Sequence, residues 1–183
     1  GRSGVQGVPR CINETDDKEE HWITELYFSG NNLVGTIPPE LGLLSQRLER
    51  LEFRHELDLT GVIPEQLIMD SKKLTELAFV ATSMHGTLST YLGELTDLRR
   101  LQIKFGFFTG SIPTEISFLS LLSELNLQKN LLEGPIPVLP PNLRILSLFF
   151  NFLTGTLPES LGSLPYPSTV IFKQNLLTGT IPE

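Results

Sequence analysis

The chain has 183 residues, 40% hydrophobic and 19% charged, the composition of a folded soluble protein rather than a disordered one. Its formal net charge of −7 argues against a nucleic-acid partner or an anionic membrane, because both need a cationic surface. No stretch approaches the roughly 18–20 apolar residues of a membrane-spanning helix, so no membrane contact by this chain itself is expected.

In chain order, residues 1–21 come first and are polar. There is no initiator Met or signal-peptide pattern, and the chain stops at Glu183 inside a repeat, so a fragment of something longer is expected. The single cysteine, Cys11, has no internal partner. It is either a free thiol or half of a disulfide with a cysteine preceding Gly1. Asn13-Glu14-Thr15 is an N-glycosylation triplet with Asn13 as acceptor, meaningful in a secreted protein. Asp16-Asp17 and Glu19-Glu20 read as a solvated turn.

From Trp22 onward the chain repeats itself. Seven glycines, Gly35, Gly61, Gly86, Gly110, Gly134, Gly155 and Gly179, are each followed two residues later by Ile or Leu. Successive gaps are 26, 25, 24, 24, 21 and 24 residues, a period that signifies a solenoid. In register the units share the template LxxLxLxxNxLxGxIPxxLxxL. The first unit fills it with Ile23, Leu26, Phe28, Asn31, Leu33, Gly35, Ile37, Pro38, Leu41 and Leu44.

Each position has a physical reason. An apolar–polar–apolar step such as Leu125-Asn126-Leu127 is a short strand with alternate side chains inward. Strands of successive units stack into a parallel sheet, each coil being the crossover that parallel pairing needs. The Asn can hydrogen-bond the backbone where the chain leaves the sheet, and stacked Asn side chains form a ladder. Gly allows the next bend and Pro stiffens the outer arc. The register has exceptions. Thr82 and Gly106 stand at Asn positions; an extra residue in the second unit puts Leu57 there, with a bulge at Glu56-Leu57-Asp58. Ser89 replaces Pro in the third unit, and the fifth is shortened to Val138-Leu139-Pro140-Pro141-Asn142.

The Gly-x-Ile-Pro extension, recurring over about Trp22 to Glu183, resembles the plant-type leucine-rich repeat. That class occurs in ectodomains of receptor-like kinases and receptor-like proteins, and in secreted polygalacturonase inhibitors. Gly7-Val8-Pro9-Arg10-Cys11 resembles the tail of the family's N-terminal cap, with the Trp and first cap cysteine missing. The expected organisation is therefore a cap remnant at 1–21 and a solenoid over 22–183, its seventh repeat truncated. The resemblance implies an α/β-type right-handed superhelix with a concave parallel β-sheet, a second minor sheet along the x-Gly-x-Ile segments and few regular helices. It further implies an extracellular or cell-surface location, a protein or peptide ligand, and a co-receptor as a further partner.

The strand residues pointing outward carry eight basic side chains against five acidic ones, although the whole chain is acidic. A cationic face on an acidic body favours an anionic patch on the ligand. The expected ligand-binding residues on this face are Tyr27, Arg54, Arg99, Arg100, Lys104, Phe105, Lys129, Arg144, Phe149 and Lys173. Seven of them are read as one groove, centred on Arg99, Arg100, Lys104 and Phe105 and extending to Lys129, Arg144 and Phe149. The competing reading is a solvated face on which Phe149 and Phe150 merely cover neighbouring coils.

Catalytic signals are missing. His21, His55 and His85 have no metal-ligand spacing, Cys11 has no nearby base, and no Gly-Lys-Ser/Thr follows the glycines. No enzyme activity, cofactor or metal is expected. Three functions remain: the recognition module of a cell-surface receptor or receptor-like protein, a secreted binder of a cell-wall hydrolase, and ice binding. The last rests on Thr109-Gly110-Ser111, Thr154-Gly155-Thr156 and Thr178-Gly179-Thr180 stacking at the strand spacing of about 4.8 Å into a flat threonine-rich strip, an array broken at His85-Gly86-Thr87 and Glu133-Gly134-Pro135.

Overall fold

The computed structural model describes residues 22–182. The expectations for Cys11, Asn13 and the cap at 1–21 lie outside the described residues.

Each coil contributes one strand to each of two sheets. The first coil holds β1 (Glu25–Ser29) and β2 (Gly35–Thr36), the second β3 (Arg50–Arg54) and β4 (Leu59–Gly61). The third holds β5 (Glu76–Val80) and β6 (Ser83–Thr87), the fourth β7 (Arg100–Lys104) and β8 (Phe107–Gly110). The fifth holds β9 (Glu124–Asn126) and β10 (Leu131–Pro135), the sixth β11 (Ile145–Ser147) and β12 (Phe152–Thr154), and β13 (Thr169–Ile171) completes the set. Odd-numbered strands form the seven-stranded concave sheet in sequential order, and even-numbered strands form a six-stranded second sheet. Pairing is parallel throughout both sheets.

In the concave sheet the repeat leucines register with one another: Leu26 with Leu51, then Leu77, Leu101, Leu125 and Leu146. From Leu51 onward they are at most 1% exposed, each burial contributing roughly 2 kcal/mol. The neighbouring column begins with an aromatic spine. Phe28 and Phe53 stack with centroids 4.8 Å apart, and Phe53 and Phe79 at 5.5 Å.

The second sheet is sheared. Gly61 registers with Met84, Gly86 with Phe108, Gly110 with Leu132 and Gly134 with Leu153. Each glycine thus lies two residues out of step with the next. The repeat glycines have positive φ, Gly61 at 84° and Gly179 at 83°, and a Cβ at either would sit 2.7 Å from a threonine methyl of the preceding coil. Conformation and space together exclude other residues there.

Helical structure on the outer arc is short. It comprises one α-helix, α1 (Glu65–Asp70), and 3-10 turns at Pro39–Arg47, Thr90–Glu94, Thr114–Phe118 and Glu159–Leu161. Where Ser89 replaces the repeat Pro, its hydroxyl caps the following turn by accepting from the Tyr91 amide at 3.3 Å. The turns at Thr90–Glu94 and Thr114–Phe118 pack so closely that a Cβ on Gly93 would lie 2.5 Å from the Glu115 carbonyl oxygen. Gly93→Ala is therefore expected to cost about 2 kcal/mol in urea unfolding, and an unchanged midpoint would show that the arcs can separate freely.

The Asn ladder forms as the repeat implies. Asn130 donates to Ile103 O at 2.8 Å and Leu127 O at 3.1 Å and accepts from the Phe108 amide at 3.3 Å. Asn151 donates to Leu127 O and Leu148 O and accepts from Leu132, and Asn175 repeats the pattern one coil on.

The second coil corrects the expected register. Strand pairing places Glu56, not Leu57, at the ladder position, and the extra residue is taken up after it in a turn that leaves Leu57 65% exposed. The buried Glu56 carboxylate accepts from the Asn31 amide at 2.8 Å, the Asn31 side chain at 3.3 Å and the Leu33 amide at 2.9 Å. Its longer arm reaches two amides of the coil before, where the ladder asparagines reach one.

Candidate functional site

The ten expected ligand-binding residues all lie on the concave sheet or its edges, and the seven read as one groove are spread from one edge to the other. Apart from Tyr27, the ten divide into a central ion-paired network and two rims on opposite edges, about 16 Å apart at five residues of extended chain.

The centre is closed. Arg54 pairs with Glu52 at 2.5 Å and with Glu76 at 3.9 Å, and Arg100 also pairs with Glu76. Arg54 in β3 donates to Gln102 in β7 at 3.2 Å, spanning β5, and Gln102 donates on to Glu124 at 2.6 Å. Beneath this bridge Ala78 is 0% exposed and Val80 6%, although both stand at outward positions of the repeat. Burial pushes the Glu52 carboxyl upward, but the hydrogen bond and charge of Arg54, with smaller contributions from Glu76 and Arg100, outweigh it and hold the group below its ordinary range. Arg54 and Arg100 are thus engaged within the protein. Tyr27 lies apart in the first coil, donating to Glu25 at 3.0 Å and accepting from Arg50 at 3.4 Å, with Arg50 paired to Glu25.

At the C-terminal ends of the strands the side chains stay free. Lys104, Phe105, Lys129, Phe149 and Lys173 lie here, joined by Phe150, which is 50% exposed. Lys129 Nζ stands 5.0 Å over the Phe105 ring and 5.9 Å over that of Phe149, and Phe149 meets Phe150 edge-on at 5.9 Å. Among the described residues no carboxylate pairs with Lys104, Lys129 or Lys173. Cation–π contacts hold the Lys129 ammonium in place and leave its three N–H groups free for an anion.

The backbone explains this edge. His55, Ala81, Phe105, Lys129, Phe150 and Gln174, one per coil, have φ between 54° and 58°, in the left-handed region that costs side-chain-bearing residues about 1–2 kcal/mol. Each continues the ladder nonetheless: the Phe105 amide donates to Gln128 O at 3.1 Å and that of Phe150 to Lys173 O at 3.0 Å. The reversal turns Phe105, Lys129 and Phe150 out along the rim. The one sequence signal for it is Gly30, φ 63°, at the same place in the first coil.

Arg99 and Arg144 occupy the opposite rim, just before β7 and β11. Both line a cavity of about 300 Å³ with Ser120, Asn142 and Tyr166.

On the second sheet, among the described residues, threonines stack only in pairs, Thr36 with Thr60 and Thr87 with Thr109. Because of the shear, Thr109 registers with Leu131, Glu133 with Phe152 and Pro135 with Thr154. Phe107 and Phe152 stand 54% and 51% exposed among them. The threonine pairs are therefore interrupted by bulkier residues and do not run on as one continuous strip.

The Leucine Rich Repeat family profile matches residues 22–44 and 142–164. No curated protein sequence matches the chain at a significant level. Among solved structures, the chain is similar to the leucine-rich repeat ectodomain of the plant membrane receptor kinase GASSHO1/SCHENGEN3 from Arabidopsis thaliana, in complex with CASPARIAN STRIP INTEGRITY FACTOR 2. Identity is 35% and TM-score 0.81, over 87% of this chain and 19% of that one. The ectodomain of the Arabidopsis receptor kinase HAESA, in complex with an extended IDA peptide hormone, is 36% identical with TM-score 0.77, over 86% and 26%. A plant ice-binding protein at 24% identity and TM-score 0.59, covering 91% of this chain and 77% of that one, shares the fold alone. The chain thus spans about a fifth to a quarter of these two receptor ectodomains.

Proposed function

The chain belongs to the plant-type leucine-rich repeat family, and from that premise we propose that it is an extracellular recognition module binding a peptide or protein ligand along the C-terminal rim of its concave sheet. The observation that carries the reading is the cluster of Lys104, Phe105, Lys129, Phe149 and Phe150, where cations without a carboxylate partner stand beside the exposed rings of Phe105 and Phe150 and the half-buried ring of Phe149. Aromatic anchors beside preorganised cations are what a binding hot spot requires, since little side-chain order is lost on association. The peptide hormones bound by the similar Arabidopsis receptors support a peptide as the ligand class. Residues 1–21 are assigned to the cap, with Cys11 as cap cysteine and Asn13 as glycan acceptor, and 22–183 to the solenoid. A receptor or receptor-like protein is preferred over a secreted inhibitor because the receptor ectodomains resemble this chain at 35–36% identity.

The test is selection of displayed random peptides on the purified chain. The Lys104→Glu/Lys129→Glu double variant is expected to bind the selected acidic, aromatic-containing peptides at least roughly 30-fold more weakly, the scale of a hot-spot loss. Unchanged affinity would remove the rim from the reading.

A further inference from the structure

We propose that the cavity beside Arg99 and Arg144 is a second binding site, for an acidic peptide segment, on the flank of the fourth to sixth coils. It is independent of the rim bearing Lys104 and Lys129.

The cavity has a structural origin. From Gly134 to Gly155 the chain uses 21 residues where its neighbours use 24. No helical turn lies between β10 and β12; Pro140-Pro141 lead straight back, and Asn142 donates to Ser120 O at 2.8 Å. The fourth and sixth coils keep their longer arcs. The short coil between them leaves about 300 Å³ open, with Leu121 on one side and Tyr166 on the other.

Its electrostatics are one-signed. Arg99 and Arg144 stand two strands apart, with Ser123 between them in register, which sets their Cα atoms about 10 Å apart. Among the described residues neither guanidinium has an ion-pair or hydrogen-bond partner, and no Asp or Glu lines the cavity. In a chain of net charge −7, two arginines left unpaired at one opening are a local departure from the molecule's balance. Each guanidinium fork can take a carboxylate in two parallel hydrogen bonds. Two acidic side chains at alternate positions of an extended peptide lie about 7 Å apart on one side of it, within reach of both forks. Leu121 and Tyr166, 41% and 77% exposed, supply an apolar wall for the residues beside them.

The experiment is calorimetric titration of the chain with acetyl-Glu-Leu-Glu-Leu-amide, with acetyl-Gln-Leu-Gln-Leu-amide and sodium sulfate as comparisons. Saturable binding of the acidic peptide alone is expected, weakened at least tenfold by Arg99→Gln and by Arg144→Gln and unaffected by Lys104→Glu/Lys129→Glu. Both arginine variants should keep the parent Tm, since neither side chain makes a contact that folding needs. No binding, equal binding by the arginine variants, or loss only in the lysine double variant would each overturn the site. Sulfate binding as well as the peptide would reduce it to a bare anion site. Sedimentation showing a dimer lost in the arginine variants would assign the cavity to a second copy of the chain instead.

Discussion

Asn130→Ala is expected to lower the free energy of unfolding by about 4 kcal/mol, more than the same change at Asn151. Both side chains are nearly fully buried, at 3% and 6% exposure, and both bridge two coils. They differ in what their neighbours can take over. Leu127 O receives a hydrogen bond from each of Asn130 and Asn151, and Leu148 O from each of Asn151 and Asn175. Removing Asn151 therefore leaves each carbonyl one asparagine donor and orphans only the Leu132 amide, a cost of about 3 kcal/mol. The fourth coil has Gly106 at its ladder position, so no second side chain reaches Ile103 O or the Phe108 amide among the described residues. Loss of Asn130 strands both. Urea unfolding of the two variants provides the comparison; an equal or inverted order would show that the ladder is not the chief tie between the fourth and fifth coils.

The second large effect concerns acid stability. Burial raises the Glu56 carboxyl, but the hydrogen bonds from the Asn31 amide, the Leu33 amide and the Asn31 side chain together outweigh it and hold the group below its ordinary value of 4.5. A carboxyl lowered in the folded state binds its proton more readily once unfolded, so its contribution is fully present above the unfolded value. It is lost as pH falls through the folded value. The protein should therefore lose stability below about pH 4.5, and Glu52, lowered in the same direction, adds to that limb. Glu56→Gln removes the charge and turns an NH2 toward a backbone amide. It should cost about 2 kcal/mol at pH 7 and flatten the acid limb. Urea midpoints measured from pH 3 to pH 7 provide the check, and parallel curves for parent and variant would contradict the assignment.

The glycine period was enough to stack one strand per coil in a parallel sheet, because every coil must bury the same leucines against its neighbours, whereas the six-stranded second sheet was expected only from the family resemblance. Pattern alone did not locate the extra residue of the second unit. Counting back from Gly61 puts Leu57 at the ladder, whereas Glu56 can satisfy two amides of the preceding coil and leaves Leu57 in solvent. The concave face was legible as a set of outward positions but not as a site. Arg54 and Arg100 carry the same charge as Arg99 and Lys104; only folding reveals that Glu52 and Glu76, from β3 and β5, pair with the first two. The left-handed turn at Phe105, Lys129 and Phe150 was equally hidden, because these residues carry none of the glycine signal that marks such backbone elsewhere. The shear of the second sheet re-pairs the threonines, setting Thr36 against Thr60 and Thr87 against Thr109 but Thr109 against Leu131 and Thr154 against Pro135.

The central claim is that ligand recognition belongs to the C-terminal rim of the concave sheet. Hydrogen exchange of the chain with and without a peptide selected on it tests this most directly, by location rather than by affinity. Protection concentrated at the amides of Phe105, Lys129 and Phe150 and their immediate neighbours is the expected result. Protection confined to the outer arcs, at Pro39–Arg47, Thr90–Glu94 and Thr114–Phe118, with the rim unchanged, would contradict it.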